Sequence, residues 1–136
     1  MIEKTLVMLK PDTIKRQLMG EIISRLEKKG LDIIAMRMIQ MDEGLVSSLY
    51  EEHLGRDYFQ PLKEFIMSLP VVVCAVQGEN AILSVRKLIG ATNPQDAAPG
   101  TIRGDYGAIT RCNLVHASDK PETAVRELGI FFPELI

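Results

Sequence analysis

His116 lies in the run NLVHASD, where a short apolar stretch gives way to polar helix-starting residues. A histidine nitrogen is largely unprotonated at neutral pH and is a competent nucleophile, including toward phosphorus. Such a histidine needs a partner on its other ring nitrogen, to fix the tautomer and to offset charge once the ring is modified. Glu127, on the helix expected to follow, is the candidate. The junction between a strand and a helix suits anionic substrates, because helix amides lie ahead. On spacing alone, a hydrogen-bonded structural histidine stays an open reading for His116. His53, the other histidine, follows Leu49 by about one helical turn and reads as structural.

The second chemical signal is the stretch from Gly90 to Thr110. It holds Thr92, Asn93, Thr101 and Arg103 among Gly90, Pro94, Pro99, Gly100 and Gly104. An irregular stretch of this length inside a compact domain is commonly functional or disordered. Its glycines and short hydroxyls let backbone amides come close to an anion. Arg86 precedes it by about one helical turn and can point into the same space. A merely solvated loop stays open as the alternative.

The whole chain bounds what these residues can serve. It has 136 residues, enough for one domain with a real core, here taken as residues 1–136. A net charge of −2 gives no global reason to expect nucleic acid as a partner, so an anion site must come from local cations. Cys74 and Cys112 have neither disulfide-framework nor metal-ligand spacing. Cys74, in an apolar run, reads as a small buried hydrophobe. Reduced thiols and the lack of a recognisable signal peptide give the expectation of a cytoplasmic protein. No apolar stretch is long enough to span a bilayer, so no membrane partner is expected.

The elements that must position these residues follow from periodicity. Thr5–Leu9 reads as a first strand and Gly20–Lys29 as a helix with Ile22, Ile23 and Leu26 inward, closed by Gly30. Leu31–Met41 reads as a second strand. A helix starts at Asp42, and Pro61 opens another. Val71–Val76 is a continuous apolar run, as in a central strand covered on at least one side. Asn80 is expected to cap the next helix. Asn113–Val115 reads as a last strand, and Asp119 with Glu122 as a capping-box-like start to a final helix. Helices separate every pair of strands. That order fits an α+β fold, one sheet with helices packed mainly on one face; the expected architecture is ferredoxin-like, with a four-stranded antiparallel sheet. A doubly wound parallel sheet competes, but it usually carries a glycine-rich phosphate loop after its first strand. Here Lys10, Pro11 and Asp12 follow instead, and the pattern G-x-x-x-x-G-K-[ST] is missing throughout.

Four segments resemble one family. NLVHASD with PETAVRELGIFFPE, EKTLVMLKPDTIKRQLMGEII, SLPVVVCAVQGENAI and GATNPQDAAPGTIRGDYG are similar, in unbroken order, to the nucleoside diphosphate kinases. The resemblance runs from about Thr5 to Phe132. It implies that His116 is the phosphorylated histidine, that Lys10 contacts the transferred phosphate, and that Tyr50 stands beside the histidine. It implies that Tyr58 stacks on the base, where the family usually has phenylalanine. Arg86, Thr92 and Arg103 match phosphate-binding positions, Asn113 the residue that bonds the sugar, and Glu127 the carboxylate that holds the histidine ring.

The reaction so implied is ping-pong transfer of the γ-phosphate of a nucleoside triphosphate, typically ATP, to a nucleoside diphosphate through a phosphohistidine. The resemblance implies Mg²⁺ carried mainly by the nucleotide's phosphates, with no protein metal ligands. It also implies a homo-oligomer, a tetramer or hexamer built from dimers. Ile33, Ile34, Met36 and Met38 of the second strand suit either a dimer interface or ordinary core. Stacking tolerates every base, which fits a broad substrate range. The chain departs from the family pattern at Ala117 and Leu69, where glycine is usual, and at Asp57, where proline is usual. Two other readings stand beside the enzyme: a nucleotide-binding regulatory module, and a relay of phosphate from His116 to proteins.

Overall fold

The computed structural model describes all 136 residues, Met1–Ile136. Four strands form one sheet: β1 (Ile2–Leu9), β2 (Asp32–Ile39), β3 (Val71–Glu79) and β4 (Val115–Ala117), in the order β2-β3-β1-β4. Every neighbouring pair is antiparallel. The helices are α1 (Pro11–Lys15), α2 (Met19–Lys28), α3 (Glu43–Leu49), α4 (Phe59–Met67), α5 (Ala81–Ile89), α6 (Ile102–Tyr106) and α7 (Pro121–Phe131). No helix is long and apolar enough to cross a membrane.

The α+β class and the antiparallel sheet are as expected, but the sheet is covered on both faces rather than one. Side chains alternate along a strand. Val7, Leu9, Val72, Cys74 and Val76 therefore share a face, and they pack against Ile22 and Leu26 of α2 and Val85 and Ile89 of α5. Leu6, Met8, Val71, Val73 and Ala75 share the opposite face, under Val46 and Leu49 of α3, Ile66 of α4, and Leu128 and Phe131 of α7. Burying a Leu, Met or Val side chain is worth about 1.5–3 kcal/mol. A single helical layer would leave half of these central strands wet. Burial on the first face pushes the Cys74 thiol up to about 12, so Cys74 behaves as a small apolar residue.

Several boundaries move for local reasons. The α2 terminus is the expected one: Gly30 has φ +90°, Leu31 N–H donates to the Leu26 carbonyl and Gly30 N–H to that of Glu27. Asp42 caps α3 by accepting from Leu45 N–H at 2.8 Å. Helix α4 begins at Phe59, two residues before Pro61. Proline is tolerated there because first-turn N–H groups have no helical acceptor. Asn80 precedes α5 but its side chain caps nothing; the distant Glu3 carboxylate accepts from Ile82 N–H instead. Lys120, not Asp119, precedes α7. Strand β4 starts two residues later than Asn113, because Leu114 has φ +76° and cannot continue a ladder. The five-residue helices α1 and α6 were not expected.

Candidate active site

The pleat sets the site. Val115 and Ala117 join the core on the α2/α5 face, so His116 between them turns to the other face, where α7 runs. On α7, Ala124, Glu127, Leu128 and Phe131 form the buried stripe. Glu127 thus reaches His116 from inside the core. His116 Nε2 lies 3.0 Å and 3.1 Å from the two Glu127 carboxylate oxygens. Ser118 Oγ donates to Glu127 Oε1 at 2.7 Å, and an Arg126 nitrogen stands 3.6 Å from Oε2. A buried carboxylate needs such partners. Tyr50, at the end of α3, meets the His116 ring edge-on at 5.4 Å between centroids. Burial, then the nearby Glu127 charge, pushes the Tyr50 phenol above its usual range, so it stays a neutral hydroxyl.

Cations gather opposite. Lys10, only 5% exposed, follows β1 directly. Its Nζ donates to the Arg111 carbonyl at 2.8 Å and to Asn113 Oδ1 at 2.7 Å. Burial lowers its pKa to about 8, with Asp12 opposing and Arg103 adding to the shift. Asp12, whose pKa burial instead raises, accepts from Leu114 N–H at 3.0 Å, while Thr13 Oγ1 donates to the Leu114 carbonyl at 2.7 Å. Helix α1 therefore holds Leu114 in its left-handed conformation from both sides. That turn sets where Asn113 and His116 stand.

Arg103 of α6 is buried, with Nε, Nη1 and Nη2 donating to the carbonyls of Asn113, Gly90 and Val115 at 3.2, 3.1 and 2.7 Å. Burial and Arg86 lower its pKa to about 10. A guanidinium has five N–H bonds, so two stay available. Arg86 Nη1 donates to the Ala117 carbonyl at 3.3 Å, and Asn113 Nδ2 to the Thr92 carbonyl at 2.9 Å. The stretch from Gly90 to Thr110 is thus not merely a solvated loop, since Pro94, Ile102 and Arg103 are buried within it. Thr101 Oγ1 caps α6 by accepting from Gly104 N–H at 3.0 Å. A Cβ on Gly104 would fall on the Ala98 carbonyl, so this close turn needs glycine. Arg25 of α2 ties the outside of the stretch, donating to Asp105 at 2.7 Å and to the Gly100 carbonyl at 3.2 Å.

All nine residues singled out from the sequence, Lys10, Tyr50, Tyr58, Arg86, Thr92, Arg103, Asn113, His116 and Glu127, line one cavity of about 580 Å³. His53, read as structural, lines it too, and its Nδ1 lies 2.6 Å from the Tyr58 hydroxyl. Asp12 and Ser118 also went unassigned. Their partners are far away in sequence or on another element, and no local pattern marks them. Ala117 has no positive φ, so alanine fits there without strain.

Fold and cleft together define an α+β domain with a cation-lined site suited to anionic substrates. Residues 3–135 match the family model described as nucleoside diphosphate kinase. A nucleoside diphosphate kinase of Methanocaldococcus jannaschii is 51% identical over 134 residues, covering 98% of this chain and 96% of the relative. That of Pyrococcus furiosus is 52% identical over 139 residues, covering 99% and 86%. Among solved structures, a halophilic nucleoside diphosphate kinase from Halobacterium salinarum in complex with CDP superposes with a TM-score of 0.94 at 45% identity, covering 97% of this chain and 88% of that one. The Aquifex aeolicus enzyme gives 0.95 at 37% identity, covering 99% and 98%. This chain belongs to the nucleoside diphosphate kinase family. Its reaction is phosphoryl transfer from a nucleoside triphosphate to a nucleoside diphosphate.

Proposed function

We propose that His116 carries the phosphoryl group between the two nucleotides, and that Nδ1 is the atom that does so. The observation behind this is the Glu127 contact. Both carboxylate oxygens take the Nε2 side, so Nε2 keeps its hydrogen and Nδ1 keeps its lone pair. Nδ1 attacks the γ-phosphorus, the bond from phosphorus to the bridging oxygen breaks, and the diphosphate leaves with that electron pair. The phosphorylated ring, still protonated at Nε2, is cationic, and Glu127 offsets that charge. A diphosphate then reverses the step: its terminal oxygen attacks phosphorus and the P–N bond breaks.

Lys10, Arg86, Arg103 and Thr92 bind the phosphates in this reading. Asn113 meets the sugar, and the Tyr58 ring stacks on the base. Tyr50 packs the His116 ring in place. Such a fixed cradle contributes several kcal/mol, since one removed oxyanion donor costs about 2.7–4 kcal/mol elsewhere.

Magnesium suits this site as part of the nucleotide. The cleft presents ammonium, guanidinium and amide donors, and no three His, Cys, Asp or Glu side chains gather at metal-binding spacing. Mg²⁺ keeps several waters and binds through phosphate oxygens, whose charge it neutralises.

Incubation with labelled ATP and then with GDP tests the reading. An acid-labile phosphohistidine should form at His116 and discharge onto GDP. Without it, the assignment of His116 falls, and a phosphoenzyme that GDP cannot discharge favours relay to proteins. His116→Gln should bind nucleotide without turnover.

We also infer that residues 1–136 act as one domain, since both layers over the sheet draw on the whole chain. A homo-oligomer built from dimers is part of the proposal. Its support is β2, an edge strand whose Ile34, Met36 and Met38 side chains are exposed while Ile33 packs on the core. Sedimentation velocity should give a tetramer or hexamer; a monomer would end that part. With both cysteines free and Cys74 buried, the cytoplasm is the proposed compartment.

A further inference from the structure

We propose that His53 is a positioning residue for nucleotide binding: its Nδ1 holds the Tyr58 hydroxyl and thereby fixes the ring on which the base stacks. The proposal rests on the reading of Tyr58 given above.

Tyr58 is 50% exposed at the mouth of the cleft, just before α4. The segment leading to it, residues 51–58, is exposed apart from the half-buried His53, and it turns at Gly55 with φ +82°. Packing alone does not fix a side chain in such a segment. A long exposed ring that is ordered only when ligand arrives charges its lost rotamer freedom to binding. The 2.6 Å contact to His53 orders it beforehand. It engages the hydroxyl, at the ring's edge, and leaves the π-face for a base. It also occupies the one polar group with which Tyr58 could discriminate among bases.

His53 is itself held. Its Nε2 lies 3.5 Å from a Glu52 carboxylate oxygen, which favours the tautomer with hydrogen on Nε2 and a free acceptor at Nδ1. Its ring stands 6.1 Å from that of Tyr50 and 5.4 Å from that of Tyr58. With the 5.4 Å contact between Tyr50 and His116, four rings run in file from the proposed nucleophile to the rim. Phenylalanine, which the family resemblance puts at the Tyr58 position, has no hydroxyl and cannot make the bond.

The test is KM for nucleoside diphosphate in discharging the phosphoenzyme, measured for His53→Ala, Tyr58→Phe and the double variant, with thermal melts to verify folding. Losing one such hydrogen bond should raise KM about five-fold in each single variant. The double variant should show no larger rise than either single one, and KM should change more than kcat. Additive effects, an unchanged KM in His53→Ala, or a loss confined to kcat would each overturn the proposal. Tyr58→Ala separates it from the reading beneath it. If Tyr58→Ala leaves KM unchanged, the base does not stack there and both ideas fall. If it raises KM while His53→Ala does not, only the role of His53 fails.

Discussion

Glu127 gives both carboxylate oxygens to a single nitrogen of His116, at 3.0 and 3.1 Å, and does so from inside the core, where Ser118 supplies it with a hydroxyl. The pair spans two elements, β4 and α7, and depends on the helical stripe that turns Glu127 inward.

Replacing the charge but keeping the shape isolates its contribution. Glu127→Gln should slow phosphorylation of His116 by up to about 10⁴-fold, the loss seen when the carboxylate orienting a catalytic histidine becomes an amide. Single-turnover quench flow with ATP measures it. A phosphorylation rate equal to wild type would mean that orientation alone, without charge, suffices.

Lys10 predicts a pH dependence. Its pKa is lowered to about 8, chiefly by burial, so it loses its proton as pH rises through that value. Only the charged form offsets phosphate. In the free enzyme kcat/KM should therefore fall as pH climbs past about 8. The fall in kcat should come at higher pH, because bound phosphate favours the protonated amine. Lys10→Arg keeps its charge throughout, and its profile should lack the alkaline decline. If the decline persists in that variant, another group causes it.

Arg103 predicts a loss of stability as well as of binding. Its three nitrogens each satisfy a carbonyl, and a lysine cannot reach all three. Arg103→Lys should cost about 3 kcal/mol in urea unfolding, because carbonyls in a buried setting lose their donors. A variant as stable as wild type would mean that the arginine serves nucleotide alone.

Gly104→Ala should disorder the segment around α6, since the new methyl collides with the Ala98 carbonyl and the Thr101 side chain. Hydrogen exchange of the amides in residues 98–107 should speed up while that of β1 and β3 stays slow. Unchanged exchange would show that the turn opens easily to admit a side chain.

The sequence displayed some of this molecule and hid the rest for physical reasons. Apolar runs such as TLVML and VVVCAV marked β1 and β3, and Gly30 marked the end of α2. The same continuous runs also signal burial on two sides, which a reading with one helical layer left unused. Helices α1 and α6 have five residues each, too few for a period to declare itself. The left-handed Leu114 carries no mark in its residue type, since its conformation comes from Asp12 and Thr13, about a hundred positions away. For the site, His116, Lys10 and Glu127 were legible as members of a resembling motif. Ser118 and His53 were not, because each acts on a side chain whose position the fold decides.

The row of rings along the cleft has an optical consequence. The chain contains three tyrosines and no tryptophan. Two of the three, Tyr50 and Tyr58, belong to that row. Much of the ultraviolet emission of the unlabelled protein therefore comes from the cleft, and a base stacking on Tyr58 as proposed should dim it. An ordinary fluorimeter can follow occupancy of this enzyme without a dye, a tag or an introduced residue.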